Sequence, residues 1–172
     1  MDSFKIGDKV IYPNQGVGVI EDIKESNLFG ETFRIYHVRI LANNSLVIVP
    51  VANTGEIGLR RPISEDDIDD IFEFIRHSPI DLHRDWKERY KEHQNLMKTG
   101  KIFDVIQVLK GLYYLNLQRS LSFREKAMME KARELVVTEL AEASSLSVLE
   151  IEHRLEDCLT KCFRHLKSEP QI

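Results

Sequence analysis

The hydrophobic period of this 172-residue chain changes once, and that change divides it into two kinds of structure. In its first part the apolar residues come in short β-branched and aromatic runs: "KVIYP", "GVGVIEDI", "FRIYHVRI" and "LVIVPV". Gly, Asn and Pro punctuate them, which predicts strands joined by tight turns. In the third run Tyr36, Val38 and Ile40 alternate with His37 and Arg39, the period of a strand with one buried face. Asn14-Gln15-Gly16 and Asn43-Asn44-Ser45 supply turn chemistry, while Gly16 and Gly18 around Val17 predict a sharp bend or bulge. Strands this short and this closely spaced make a small bent sheet or barrel, since there is too little chain for a sandwich.

After "ANTGEIGLRRP" the period becomes helical. Ser64 with Asp67 can cap a helix, and the acids of its first turn suit the helix dipole. Ile68, Ile71, Phe72 and Ile75 then share one face. Residues 84–99 read as a helix stopped by Thr99-Gly100, and 102–118 as a more apolar one. Ser122 with Glu125 has the spacing of a capping box, opening a helix through Ala141, and Ser147 with Glu150 has it again. From there Val148, Ile151, Leu155, Leu159, Cys162 and Leu166 follow at helical spacing. The fold class is therefore α+β. A β module spans 1–58 and an all-helical domain 59–172, with the junction near residues 52–64. Residues 64–76 form an acidic connecting helix and 144–172 an extra amphipathic helix covering the helical core.

Charge is distributed unevenly. The chain carries a net −4, which by itself argues against a nucleic-acid binder. Residues 83–133, however, hold 12 Lys/Arg against 6 Asp/Glu, and both flanking regions are acidic. A basic segment between acidic ones is a stronger electrostatic signal than the total. No run of apolar residues approaches the ~20 of a membrane span, and the N-terminus has no basic, apolar leader, so a cytoplasmic protein is expected. No P-loop, GxGxxG, GxSxG or HExxH is present, and neither an enzyme nor a cofactor is expected. Cys158 and Cys162 lie four apart on one helix face, which fits packing better than a disulfide or, with His153 and His165, a metal site.

The only tryptophan, Trp86, stands in "DWKERYK" among charged residues. Two readings compete for it. Its ring caps the helical core, or it is exposed on a basic surface made by Arg84, Lys87, Arg89 and Lys91, joined by Lys126 and Arg133 from a later helix. Exposed aromatics among Lys and Arg stack on bases or wedge into a groove.

"FKIGDKVIYPNQGVGVIEDI", "DWKERYKEHQNLMKTGKIFDV" and "LSFREKAMMEKARELVVTELA" together resemble the CarD family, also called CdnL, in the same order and over residues 4–142. The resemblance implies a Tudor-like N-terminal module that binds the RNA polymerase β subunit. It also implies a helical domain that contacts promoter DNA, largely without sequence preference, in the minor groove at the upstream edge of the transcription bubble. Trp86 matches the family's wedge residue, and Lys87 follows it. Arg89 and Lys91 match basic positions after it, Lys126 the basic residue of "LS..EK", and Phe123 a position that can be apolar and DNA-facing. Val38, Ile48 and Pro50 match polymerase-contact positions. Some members carry Arg where this chain has Ile48 and a second basic residue where it has Glu88. That implies a more apolar polymerase contact and weaker phosphate attraction beside Trp86. A polymerase-binding adaptor that does not touch DNA is the alternative. Under either reading the protein works in the cytoplasm, at the nucleoid through polymerase, with no membrane or small-molecule partner.

Overall fold

Each β-rich stretch forms a strand: β1 (Lys9–Tyr12), β2 (Gly16–Leu28), β3 (Glu31–Ile40) and β4 (Leu46–Pro50). They pair antiparallel in sequence order as one curled half-barrel. The computed structural model describes residues 3–164. Turn chemistry sets the register where it was expected. Asn14 and Gly16 take positive φ between β1 and β2, where the Gln15 N–H donates to the Tyr12 carbonyl at 3.0 Å. Between β3 and β4, Asn44 has φ 59°, and the Asn43 Oδ1 accepts from the Ser45 N–H at 3.0 Å.

Val10, Ile20, Tyr36, Val38, Ile40 and Val49 form the core of the sheet's concave side, closed by Phe4 and Leu59. The Tyr36 hydroxyl is buried with a partner, accepting from the Phe4 N–H at 3.2 Å. Val38 is fully buried here. Its side chain points inward with Tyr36 and Ile40, whereas the resemblance implied a polymerase-contact position. Gly18 lies directly beneath it, and a Cβ there would come within 2.8 Å of the Val38 Cγ1 and 3.2 Å of the Arg39 carbonyl. The expected bend at residues 16–18 is thus a close-packing site. The bulge falls at Glu21 instead, where the register shifts between Ile20 and Asp22. The Glu21 carboxylate is tied there to Arg39 at 2.8 Å.

The half-barrel does not close. The outer edge of β1 is covered by Arg60, whose carbonyl accepts from the Ile11 N–H at 2.7 Å. Arg61 reaches back to Asp8 at 3.3 Å and lies over the Phe4 ring. These ties keep residues 59–61 with the sheet, along with a short helix α1 (Thr54–Ile57). The chain divides between Pro62 and Ile63.

Among the described residues five helices make the second unit: α2 (Ile68–His77), α3 (Trp86–Thr99), α4 (Ile102–Gln118), α5 (Phe123–Ala143) and α6 (Val148–Cys162). The two expected capping boxes are present, at Ser122/Glu125 and Ser147/Glu150, and the expected cap at Ser64/Asp67 is a third such box. A 3-10 turn Glu65–Asp67 leads into α2. Gly100, with φ 70°, ends α3. Among the described residues α2 is more than a connector, since Ile71, Phe72 and Ile75 are fully buried in the helical core. Burying such side chains contributes roughly 1.5–3 kcal/mol each.

α6 covers the same core with Ile151, Leu155, Cys158 and Leu159. Arg154 clips it to α2 through Asp69 at 3.0 Å and lies 4.0 Å from the Phe72 ring centroid. The two thiols face backbone carbonyls, Cys158 that of Phe72 at 3.9 Å and Cys162 that of Ile75 at 3.4 Å. Burial raises the Cys158 pKa, which disfavours the reactive thiolate. Leu166 and His165 lie outside the described residues. No described helix is long and apolar enough to cross a membrane.

Gly18→Ala forces a methyl into the Val38 contact. A loss of about 1–3 kcal/mol is expected from such overpacking, read as a lower urea midpoint at an unchanged denaturant slope.

Candidate functional site

A helix's first residue has no preceding turn to pack its side chain, so an aromatic there projects outward unless tertiary structure covers it. Trp86 and Phe123 are both first residues, of α3 and α5. Asp85 caps α3, its carboxylate accepting the Lys87 N–H at 2.8 Å. Ser122 caps α5, its hydroxyl accepting the Glu125 N–H at 3.2 Å. Both rings are uncovered, with Trp86 60% and Phe123 88% exposed. Trp86 is therefore not a core cap, and Phe123 is not a staple.

The two rings share an open groove of about 950 Å³ lined also by Arg84, Arg89, Tyr90, Arg119, Arg124 and Glu125. Four arginines against one carboxylate make it strongly basic. Lys87 holds its ammonium 5.7 Å from the Trp86 ring centroid. Arg84 and Arg124 make no ion pair among the described residues. Lys91 and Lys126 are likewise exposed and unpaired, but they lie outside the groove lining. Arg133, considered for the same surface, is engaged by Glu156 at 3.0 Å.

Arg89 differs from expectation. It is 6% exposed, so it does not belong to the exposed basic surface. Its Nη1 donates to the His83 carbonyl at 2.9 Å and its Nη2 to the Glu125 Oε1 at 3.4 Å. Arg119 grips the same carboxylate with two nitrogens, at 2.9 and 3.2 Å. The Ser122 N–H donates to it as well, at 2.9 Å. With Arg119 foremost and Ser122 assisting, these donors hold the Glu125 pKa down at about 2 against its partial burial. Arg89 thus builds the groove floor as one arm of a buried ion cluster. Arg119 and Arg124 were missed in the sequence. Arg124 could have been found as the neighbour of Phe123, whereas Arg119 carried no local signal.

His93, one turn after Arg89 on α3, is buried against α4 at Gly111. Burial, reinforced by the Arg89 charge and opposed by Glu125, lowers its pKa to about 4.

The β unit offers a different surface. Leu46, Ile48 and Pro50 share one face of β4, with Ile48 58% exposed and paired with His37 across the ladder. Among the described residues no strand pairs with the outer edge of β4. Pro50 has no N–H to leave unpaired there.

The two shifted groups set an acid limit on stability. Unfolded His93 takes up a proton between its ordinary pKa of 6.5 and about 4 while the folded side chain stays neutral. Stability is therefore full above the upper value and falls as pH drops through that window. Glu125 adds a second loss between 4.5 and about 2. Urea midpoints measured across pH should fall in two stages, and His93→Gln should remove the first stage alone.

Comparison with known proteins agrees with this division. Residues 4–63 match the family described as CarD-like/TRCF RID domain, and residues 70–156 that described as CarD, C-terminal domain. The latter match reaches into α6, so most of that helix is no addition to the family pattern. A protein of Bacillus subtilis (strain 168), "Putative transcription factor YdeB", is 30% identical over 137 residues, covering 80% of this chain and 90% of its own. The solved structure "CdnLNt from Myxoccoccus xanthus" is 41% identical, covering 37% of this chain and 90% of its own, with a TM-score of 0.32. With both halves matched, in order and over most of its length, the chain belongs to the CarD/CdnL family of transcription regulators.

Proposed function

We propose that this chain attaches to the RNA polymerase β subunit through its β unit and stabilises the promoter open complex through its helical unit. Trp86 wedges into the minor groove at the upstream edge of the bubble, and arginines and lysines around it hold the phosphates. The observation that carries this reading is the pair of uncovered aromatics on an arginine-lined groove. An exposed tryptophan costs solubility and gains nothing for folding, so its position calls for a partner. Opening DNA requires unstacking, and an apolar wedge offsets part of that cost. Contacts from Arg84, Arg124, Lys91 and Lys126 to phosphates position the wedge without reading bases. Lys87 stays beside the indole, while Glu88 on the same turn repels phosphate and keeps the intrinsic DNA affinity low.

Low affinity suffices if the protein is already held at the promoter. Attachment to polymerase raises the effective concentration of the groove near DNA, typically to about the millimolar range for a short tether. The open edge of β4 suits strand addition, with Ile48 and Pro50 on its accessible side.

Two measurements test the two halves. With purified polymerase on one promoter, wild type should lengthen the open-complex lifetime, and Trp86→Ala should abolish the effect while still binding polymerase. If neither protein alters the lifetime, the DNA half of the reading fails and a polymerase-bound adaptor remains. Ile48→Asp should weaken polymerase binding by about tenfold or more, as expected for an apolar anchor at an interface centre, and leave thermal stability unchanged. Unchanged polymerase affinity would remove β4 from the contact.

A further inference from the structure

Three helix ends meet at one carboxylate. Arg119 is the C-cap residue of α4, Arg89 is in the first turn of α3, and Ser122 and Glu125 begin α5. α3 and α5 each pack on α4, and the Arg89–Glu125 pair spans directly from one N-terminus to the other. We propose that Glu125 is a positioning residue, the joint that fixes Trp86 relative to Phe123 and so sets the geometry of the wedge.

Arg89 lies three residues after Trp86 on the same helix, so a guanidinium held at Glu125 and at the His83 carbonyl fixes the rotation of that first turn. Glu125 lies two residues after Phe123, and its capping-box bonds fix the start of α5. The same two oxygens hold both arginines and the Ser122 N–H, so neither helix start can shift without breaking a buried charged contact. Buried ion pairs are poor sources of net stability, and their best-attested use is to specify one arrangement over its neighbours. A cap alone would need only the Ser122–Glu125 box, which the Ser147–Glu150 box at α6 achieves with no arginine contact to Glu150 among the described residues.

The proposal rests on the wedge reading, yet its first test does not need DNA. Trp86 is the only tryptophan, so time-resolved fluorescence anisotropy of the full chain reports indole motion alone. Glu125→Gln should enlarge the amplitude of fast local motion. Ser122→Ala, which removes the cap hydroxyl and leaves both arginine contacts, should not. Should Glu125→Gln fail to fold, Arg89→Lys takes its place, because a single ammonium cannot span both acceptors, and the same increase is expected. An unchanged amplitude, or an equal rise in Ser122→Ala, overturns the proposal. The second test is coupling in the open-complex lifetime. Glu125→Gln should lose most of the wild-type effect and add no further loss in a Trp86→Ala background; additive losses overturn the proposal. If wild type has no lifetime effect, the wedge reading fails, and anisotropy alone decides the positioning role.

Discussion

A carboxylate buried beside a groove stays charged only where donors surround it, and the arrangement around Glu125 satisfies that condition with two arginines and a backbone N–H. Much of the helical unit's exposed face follows from this one requirement. Arg89 is drawn inward and lost to the surface. Arg119 is drawn to the end of α4. The two helix N-termini come close enough for their first residues to share a groove. The apolar core beneath, from Ile71 to Leu159, holds the helices together without dictating how their ends align. Apolar packing is non-directional, whereas a carboxylate with fixed donors is not.

The sequence was legible where the interactions are local and illegible where they are not. The three capping boxes were readable because donor and acceptor lie three residues apart. The four strands and the face of α2 were readable from period alone, though β2 runs to Leu28, past the expected end. Val38 was readable too, since its alternation with His37 and Arg39 already placed it with Tyr36 and Ile40. Family resemblance gave it a polymerase-contact position, and its side chain faces inward. Arg89 was not readable. Its burial depends on a partner 36 residues away, and nothing in "WKERYK" distinguishes it from its exposed neighbours. The bulge at Glu21 was missed for a related reason: Gly18 serves close approach of Val38 and Gly16 the turn, while the register shift is set by pairing with β3.

The two units solve different recognition problems. On β4, Ile48 and Leu46 stand on an unpaired edge whose backbone is uniform along its length, so side chains must supply selectivity. In the groove, aromatic faces and guanidinium groups are suited, under the proposed function, to features common to any duplex. Under the proposed function the first surface chooses the location and the second acts wherever it is brought. A net acidic chain suits that division, because it limits binding to DNA that polymerase has not already selected.

The bulge also separates the sheet into parts that differ in what they pair with. Beyond it, residues 25–28 and 31–34 pair only with each other, out to a tip where Phe29 is fully exposed. Strand geometry repeats every two residues. This arm can therefore gain or lose two residues on each strand at a time and keep the same kind of closing pair at the tip, with every inward-facing side chain of the half-barrel where it is. Removing Glu21 alone would instead make the pairing of β2 with β3 regular, with Ile23 still opposite Tyr36, and would lose the bulge's bend together with the Glu21–Arg39 tie. Length variation among relatives should consequently collect at the hairpin tip, in matched steps on the two strands.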